Sequence, residues 1–219
     1  MRSIRVSIRV RSTTHGFAPS PPIPFDNRHS PFDNLAMTSA QDSVVVVTGG
    51  GRGIGRAICQ QFAADGAQVV AASRTLAELE DTRRIIEQAG GRCHVQPTDV
   101  CVPEEIDSLI ESTAKRFGRI DVLVNCAGMA PQSGIEELEP GLFTTIMAVN
   151  VNAVYHACRR VWPVMKTQKS GVIVNISSIA SVDPFPGFAA YGAAKAWVNV
   201  WTKALADEQE RQTQRMIKN

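Results

Sequence analysis

The feature that most constrains this chain is a strict alternation of short apolar runs with amphipathic helical patterns, beginning at Ser43. Val44 to Val47 is a wholly apolar, β-branched run, as a strand buried on both faces requires. A glycine-rich turn follows, then a helical pattern through Ala57, Ile58, Phe62 and Ala63 that Gly66 ends. The cycle repeats as strand 68–72, a charged amphipathic helix 76–89 closed by Gly90 and Gly91, strand 93–96, helix 104–117 and strand 120–125. A long helix 142–165, strand 171–176 and a last helix from Tyr191 complete it. Apolar strands alternating with helices build a parallel sheet covered by helices on both faces. The expected fold class is therefore α/β, a doubly wound parallel sheet of about five strands.

Residues 1–42 have a different character. Ile4, Val6, Ile8 and Val10 alternate with Arg5, Ser7, Arg9 and Arg11, a period that suits a strand and not an amphipathic helix. Pro19, Pro21, Pro22, Pro24 and Pro31 then forbid regular structure. Two readings compete. An organelle transit peptide, suggested by Arg and Ser and by the lack of early acids, would place the protein in a mitochondrion or plastid. An upstream extension without function, with Met37 as the working start, would leave it cytoplasmic. The absence of helical periodicity favours the second. On either reading the folded domain is expected at 43–219, with 1–42 set aside as a disordered or targeting-like extension.

Charge and ligand chemistry exclude several function classes. The net charge is +2, and Arg2, Arg5, Arg9, Arg11 and Arg28 concentrate it in the extension, so there is no nucleic-acid footprint. No apolar run approaches the roughly 18 residues of a membrane span. Cys59, Cys93, Cys101, Cys126 and Cys158 are odd in number and contain no C-x-x-C, which points to buried, reduced thiols. His15, His29, His94 and His156 lack metal-ligand spacing, with His94 on a strand and His156 on a helix. No metal is expected.

The turn Thr48-Gly49-Gly50-Gly51-Arg52-Gly53-Ile54-Gly55 lies between the first strand of the alternation and its helix. Glycines let the backbone approach a pyrophosphate closely, and the helix N-terminus offers free N–H groups and partial positive charge. The spacing is T-G-x-x-x-G-x-G, with Ile54 where the commoner G-x-G-x-x-G has its last glycine. Such a turn in strand–helix context makes the fold Rossmann-type. A carboxylate about 20 residues on would accept the ribose hydroxyls of NAD. Here the second strand ends in Ser73-Arg74 instead, and a guanidinium pairs with a 2′-phosphate. With Arg52 as a second cation, the expected cofactor is NADP(H).

Tyr191 and Lys195 are four apart on a helical pattern and so share a face. A phenol, with an ordinary pKa near 10, is a poor proton donor and acceptor at neutral pH, and a nearby ammonium favours its phenolate form. Ser178 follows strand 171–176, Asn125-Cys126-Ala127-Gly128 ends strand 120–125, and Asn150 lies in the long helix.

Together these segments resemble the single-domain short-chain dehydrogenase/reductase family over residues 43 to about 209. The marks are TGGGRGIG at 48–55, TDV at 98–100, DVLVNCAG at 121–128, VNV at 149–151, NISS at 175–178 and YGAAK at 191–195, in the family's order. The resemblance implies Tyr191 as general acid/base and Lys195 as the cation beside it that also holds the nicotinamide ribose. It implies Ser178 as hydrogen-bond donor to the substrate oxygen and Asn150 as holder of a relay water. Asp99 and Val100 resemble the adenine-pocket pair, and Asn125, Ala127 and Gly128 the strand end beside the cofactor ribose. Cys126 stands where the family more often has a second Asn. Thr48, Gly49, Gly51, Arg52, Gly53, Ile54, Gly55, Ser73 and Arg74 would complete the cofactor contacts.

The implied reaction is hydride transfer between NADP(H) and a small carbonyl or alcohol substrate, with the ASR and NISS segments similar to 3-oxoacyl-carrier-protein reductases. The loop 182–188, with Pro184, Phe185, Pro186 and Phe188, reads as an apolar pocket wall or an ordinary packed loop. After Leu205 the family continues with further strands and a substrate lid, whereas here a polar stretch 207–214 follows. That departure is expected to leave one sheet edge bare and the site open to water. It also keeps a second function open, a nucleotide-binding chain that is catalytically weak or pairs with a longer partner, and a third, a nucleotide sensor. A homo-oligomer through helices 142–165 and 191–206, with Tyr155, Trp162, Trp197 and Trp201 as contacts or as core, is the expected assembly.

Overall fold

The computed structural model describes residues 4–9, 40–183 and 185–217. Its strands are β1 (Ile4–Arg9), β2 (Val44–Thr48), β3 (Gln68–Ser73), β4 (Arg92–Pro97), β5 (Val122–Asn125) and β6 (Gly171–Ile176). They form one sheet in the order β1-β6-β5-β2-β3-β4, with every neighbouring pair parallel. The helices are α1 (Gly53–Ala64), α2 (Leu76–Gln88), α3 (Pro103–Phe117), α4 (Pro140–Met147), α5 (Ala153–Gln168) and α6 (Ala189–Ile217).

Successive strand residues point to opposite faces of a sheet, so each strand feeds two cores. Val46, Val70, Leu123 and Ile173 face α3, α5 and α6, where Leu109, Val161 and Val198 are fully buried. Val45, Val47, Val69, Ala71 and Val124 face α1 and α2, against Cys59 and Leu79. Those two layers are the doubly wound α/β fold that the alternation predicts. Local chemistry sets the helix ends. In α3, Pro103 starts the helix, Glu104 and Glu105 occupy its first turn, Lys115 and Arg116 its last, and Gly118 closes it at φ 74°.

The structure departs from the sequence reading in two places. Helical structure runs from 140 to 168 without a break, but it is not one regular helix. Residues Ala148–Asn152 form a π turn between α4 and α5. Such turns insert one extra residue into the helical ladder and recur at functional sites.

The second departure is β1. The extension was set aside from the fold, and the edge beside strand 171–176 was expected to be bare. Instead Ile4–Arg9 pairs along the whole of β6, from Ile4 opposite Gly171 to Arg9 opposite Ile176. The physical reason is on the sequence: alternating β-branched residues suit a strand, and an unpaired edge leaves a row of backbone N–H and C=O groups to be satisfied. The proline-rich stretch and Met37 lie outside the described residues, as do the transit-peptide and alternative-start readings that depend on them. Among the described residues no helix is long and apolar enough to cross a membrane.

The crossover from β2 runs one way, to β3, and the crossover from its neighbour β5 runs the other way, to β6. The chain ends of β2 and β5 therefore diverge, and a crevice opens over them, which is where ligands bind in sheets of this kind.

Candidate active site and nucleotide groove

A groove of about 570 Å³ lies over that crevice. Its walls include Gly49, Gly51, Arg52, Gly53, Ile54 and Gly55 from the glycine turn, Ser73 and Arg74 from β3, Asp99 and Val100 beyond β4, and Ala127 and Gly128 beyond β5. Thr48 fastens its floor: the buried hydroxyl accepts the N–H groups of Cys126 at 3.1 Å and Ala127 at 3.2 Å. α1 begins at Gly53, so its unsatisfied N–H end lies in the groove wall. Gly55 lets it sit there, since a Cβ at that position would stand 2.1 Å from the Gly49 carbonyl oxygen.

The turn is held from behind by Arg56 and Thr82. Arg56 donates to the Gly51 carbonyl at 3.0 Å, to Thr82 Oγ1 at 3.0 Å and to the Glu78 carbonyl at 3.2 Å. The fully buried Thr82 hydroxyl bonds the Gly50 carbonyl at 3.0 Å. At the same end of the groove, Arg52 pairs with Glu78 at 3.9 Å, and Ser73 Oγ is buried without a partner.

The proton-transfer candidates gather at the other end, around α6 and the end of β6. Lys195 is buried, and its ammonium donates to the Ile176 carbonyl at 2.9 Å and lies 5.9 Å from the centre of the Tyr191 ring. Burial pulls the Lys195 pKa down from 10.5 to about 8, with Cys126 opposing weakly. Burial likewise pushes the Cys126 thiol up to about 11, so it is a neutral group beside the lysine at neutral pH. Ser178 Oγ accepts the Ala180 N–H at 3.2 Å, which leaves its own O–H free to donate elsewhere. α6 can approach this turn because residue 192 is glycine; a Cβ there would meet the Ala180 carbonyl oxygen at 2.7 Å.

The π turn delivers Asn150 to this cluster. Asn150 is fully buried, and its amide donates to the carbonyls of Met129 at 2.9 Å and Ile146 at 3.0 Å. Its Oδ1 is buried without a partner. A Cβ on Gly128 would lie 3.0 Å from that oxygen and 3.5 Å from Lys195 Nζ. Gly128 lines the groove, so the groove meets the Lys195–Asn150 pair there.

Thr48 and Asn125 are buried behind the groove and not among the residues that line it. Asn125 is buried, and its amide donates to Asn175 Oδ1 at 2.8 Å; Asn175 in turn donates to Thr202 Oγ1 at 2.9 Å. A strand residue has two faces to choose from, and Asn125 takes the inner one, tying β5, β6 and α6 together. Cys101 corrects the expectation of buried thiols: it follows β4 in the groove wall and is exposed. The loop 182–188 is not part of the groove wall, and Val182 and Phe185 are exposed, while Phe188 packs edge-on to Tyr191 at 6.3 Å. Pro184 lies outside the described residues. Arg56, Glu78, Thr82 and Thr202 were missed from the sequence. Glu78 alone carried a signal, as the Glu of a T-x-x-E helix start. Among the described residues no group of His, Cys, Asp or Glu could hold a metal ion.

The sequence profile described as short chain dehydrogenase matches residues 43–217. The chain belongs to the short-chain dehydrogenase family. An uncharacterized oxidoreductase of Staphylococcus saprophyticus is 38% identical over 79% of the chain and 70% of its own length. The 3beta-hydroxysteroid dehydrogenase 1 of Eggerthella lenta is 38% identical over 75% of the chain and 64% of its own length. Among solved short-chain dehydrogenases, a metagenomic oxidoreductase in complex with NADP superposes with TM-score 0.76 at 34% identity, covering 79% of each chain. An NAD+-bound xylitol dehydrogenase superposes with TM-score 0.75 at 28% identity over 78% of this chain and 66% of its own.

Proposed function

We propose that this short-chain dehydrogenase transfers hydride between NADP(H) and a carbonyl or alcohol substrate. The observation that carries the reading is the junction at Gly128, where a groove with two guanidinium groups at its far end meets the buried Lys195–Asn150 pair. The donor set fits a dinucleotide. The turn Gly49 to Gly55 and the start of α1 would hold the pyrophosphate, Arg74 and Arg52 a 2′-phosphate, and Asp99 and Val100 the adenine. Ala127, Gly128 and Lys195 would hold the nicotinamide ribose. When bound, the cofactor supplies or accepts the hydride.

The remaining steps belong to side chains of this chain. In the reductive direction Tyr191 gives its phenolic proton to the substrate oxygen, and Ser178 donates its free O–H to the same oxygen. Asn150 Oδ1, buried with an unused lone pair, holds a water that returns a proton by way of Lys195. Assembly into a homo-oligomer would use α5 and α6, where Val200 is exposed and Tyr155 and Trp201 meet edge-on at 5.8 Å on the surface of the core.

Purified chain should bind NADPH more tightly than NADH and oxidise it with at least one member of a ketone panel. Tyr191→Phe should abolish turnover and keep nucleotide binding, and Arg74→Asp should shift preference toward NADH. Unchanged turnover on Tyr191→Phe would overturn the catalytic assignment. A second reading is nucleotide binding without turnover. It is favoured by the exposure of Val182 and Phe185 on the segment between Ser178 and Tyr191. Tight NADPH binding with no turnover across the panel would establish it.

A further inference from the structure

We propose that Glu78 is a specificity-determining residue of the nucleotide groove: it engages Arg52 and so weakens discrimination in favour of a 2′-phosphate. This rests on the groove being an NADP(H) site. The strand end Ser73-Arg74 lacks the carboxylate that accepts ribose hydroxyls in NAD sites. The structure supplies one from elsewhere, in the first turn of α2.

A Glu three residues after Thr75 would ordinarily fold back to cap the helix start. Thr75 makes no side-chain cap here, and the partner of the Glu78 carboxylate is Arg52, at 3.9 Å across the groove wall. The backbone of Glu78 is held in place: its carbonyl is fixed by Arg56 at 3.2 Å and by Thr82 at 3.1 Å, the same two residues that hold the glycine turn, while its carboxylate meets a largely exposed Arg52 side chain. A Cβ on Gly51 would lie 3.0 Å from Glu78 Cβ and 2.7 Å from Ser73 Oγ, the buried hydroxyl without a partner. One spot beside Gly51 therefore collects a carboxylate, its Arg52 partner and an unused hydroxyl, with Arg74 in the same groove wall.

The consequences differ for the two nucleotides. A 2′-phosphate carries about two negative charges. It must share Arg52 with Glu78 and tolerate a nearby carboxylate, so that Arg74 and Ser73 carry most of its recognition. A 2′-hydroxyl can donate to the same carboxylate and meets no repulsion. The chain should therefore use both nucleotides, with a narrow preference.

Equilibrium binding of NADPH and NADH to the full chain and to Glu78→Gln tests this. The variant should tighten NADPH about three- to tenfold, leave NADH unchanged or weaker, and lose most of the gain in high salt. An unchanged NADPH/NADH affinity ratio in a Glu78→Gln protein of normal thermal transition would overturn the proposal. If that variant loses its transition, Arg52→Gln gives the same answer: a loss of NADPH affinity under about threefold supports the proposal, because Arg52 is already engaged, and a loss of about tenfold or more overturns it. Arg74→Asp, measured in parallel, separates the two levels of the argument. If it lowers the NADPH preference while Glu78→Gln does not move the ratio, the inference fails and the NADP(H) reading stands. If it leaves a wild-type preference for NADH unchanged, both fail.

Discussion

Lys195 should destabilise the free protein at neutral pH, and Lys195→Met should reveal by how much. The lysine is 4% exposed, and burial depresses its pKa from 10.5 to about 8. At about 1.4 kcal/mol per unit, holding it charged in the folded chain costs on the order of 3 kcal/mol below pH 8. Removing it also removes the hydrogen bond to the Ile176 carbonyl, and an unsatisfied buried carbonyl returns about 1–2 kcal/mol of that. The net expectation is a gain of about 1–2 kcal/mol at pH 7, or roughly 2–8 °C in Tm for a domain of this size. The sign against pH follows from linkage. Between pH 8 and 10.5 the unfolded chain binds more protons at this site than the folded one, so wild-type stability from this site rises with pH across that window. The advantage of the variant should therefore shrink from pH 8 upward, vanish between about pH 9 and 10 and reverse above that, because the loss of the hydrogen bond to Ile176 does not depend on pH. Cys158, raised by burial to about 11, titrates in both proteins and cancels in the difference, whereas Cys126, which interacts with Lys195, adds a smaller change at the alkaline end. Urea denaturation of both proteins at pH 7 and pH 10 reads the effect. A variant less stable than wild type at pH 7, or an advantage that does not change with pH, would refute the reasoning.

Two further outcomes follow from packing. Gly55→Ala places a methyl 2.1 Å from the Gly49 carbonyl oxygen, so the turn must open; NADPH affinity should fall at least about tenfold, and wild-type affinity would show that the turn is not the phosphate site. Asn175→Ala leaves the Asn125 amide with only Cys158 Sγ to donate to and removes the donor to Thr202. It should cost about 2–4 kcal/mol in urea denaturation, and a loss below about 1 kcal/mol would mean the network is not structural.

The strands from β2 to β6 were legible because their signal is local. A wholly apolar, β-branched run such as Val44 to Val47 has few alternatives, and strand 171–176 was read with the bounds it has. β1 shows the limit of that signal. Its alternation was readable, but its partner lies far along the chain, and pairing with a distant edge leaves no local mark. The π turn around Asn150 failed for a related reason, since one extra residue in a helical ladder barely disturbs the apolar period. At the site, residue types in motifs were legible and facings were not. Asn125 sits in a strand whose two faces are equally apolar, so the sequence did not say that it would point inward. Arg56 and Thr82 act across α1 and α2, and that contact exists only once both helices are packed.

The pairing of β1 with β6 also orders events during synthesis. Ile4 meets Gly171, so on the order of 160 residues are made between the two partners, which takes roughly 10–30 s at ~5–20 residues per second. Of the described strands, the first in the chain is thus among the last to find its place, and the contact has a high loop-closure cost. The delay also gives protection. When β6 emerges, its neighbour is already present in the same chain at a local concentration no other molecule can match. An edge that could recruit a second nascent chain is closed from within.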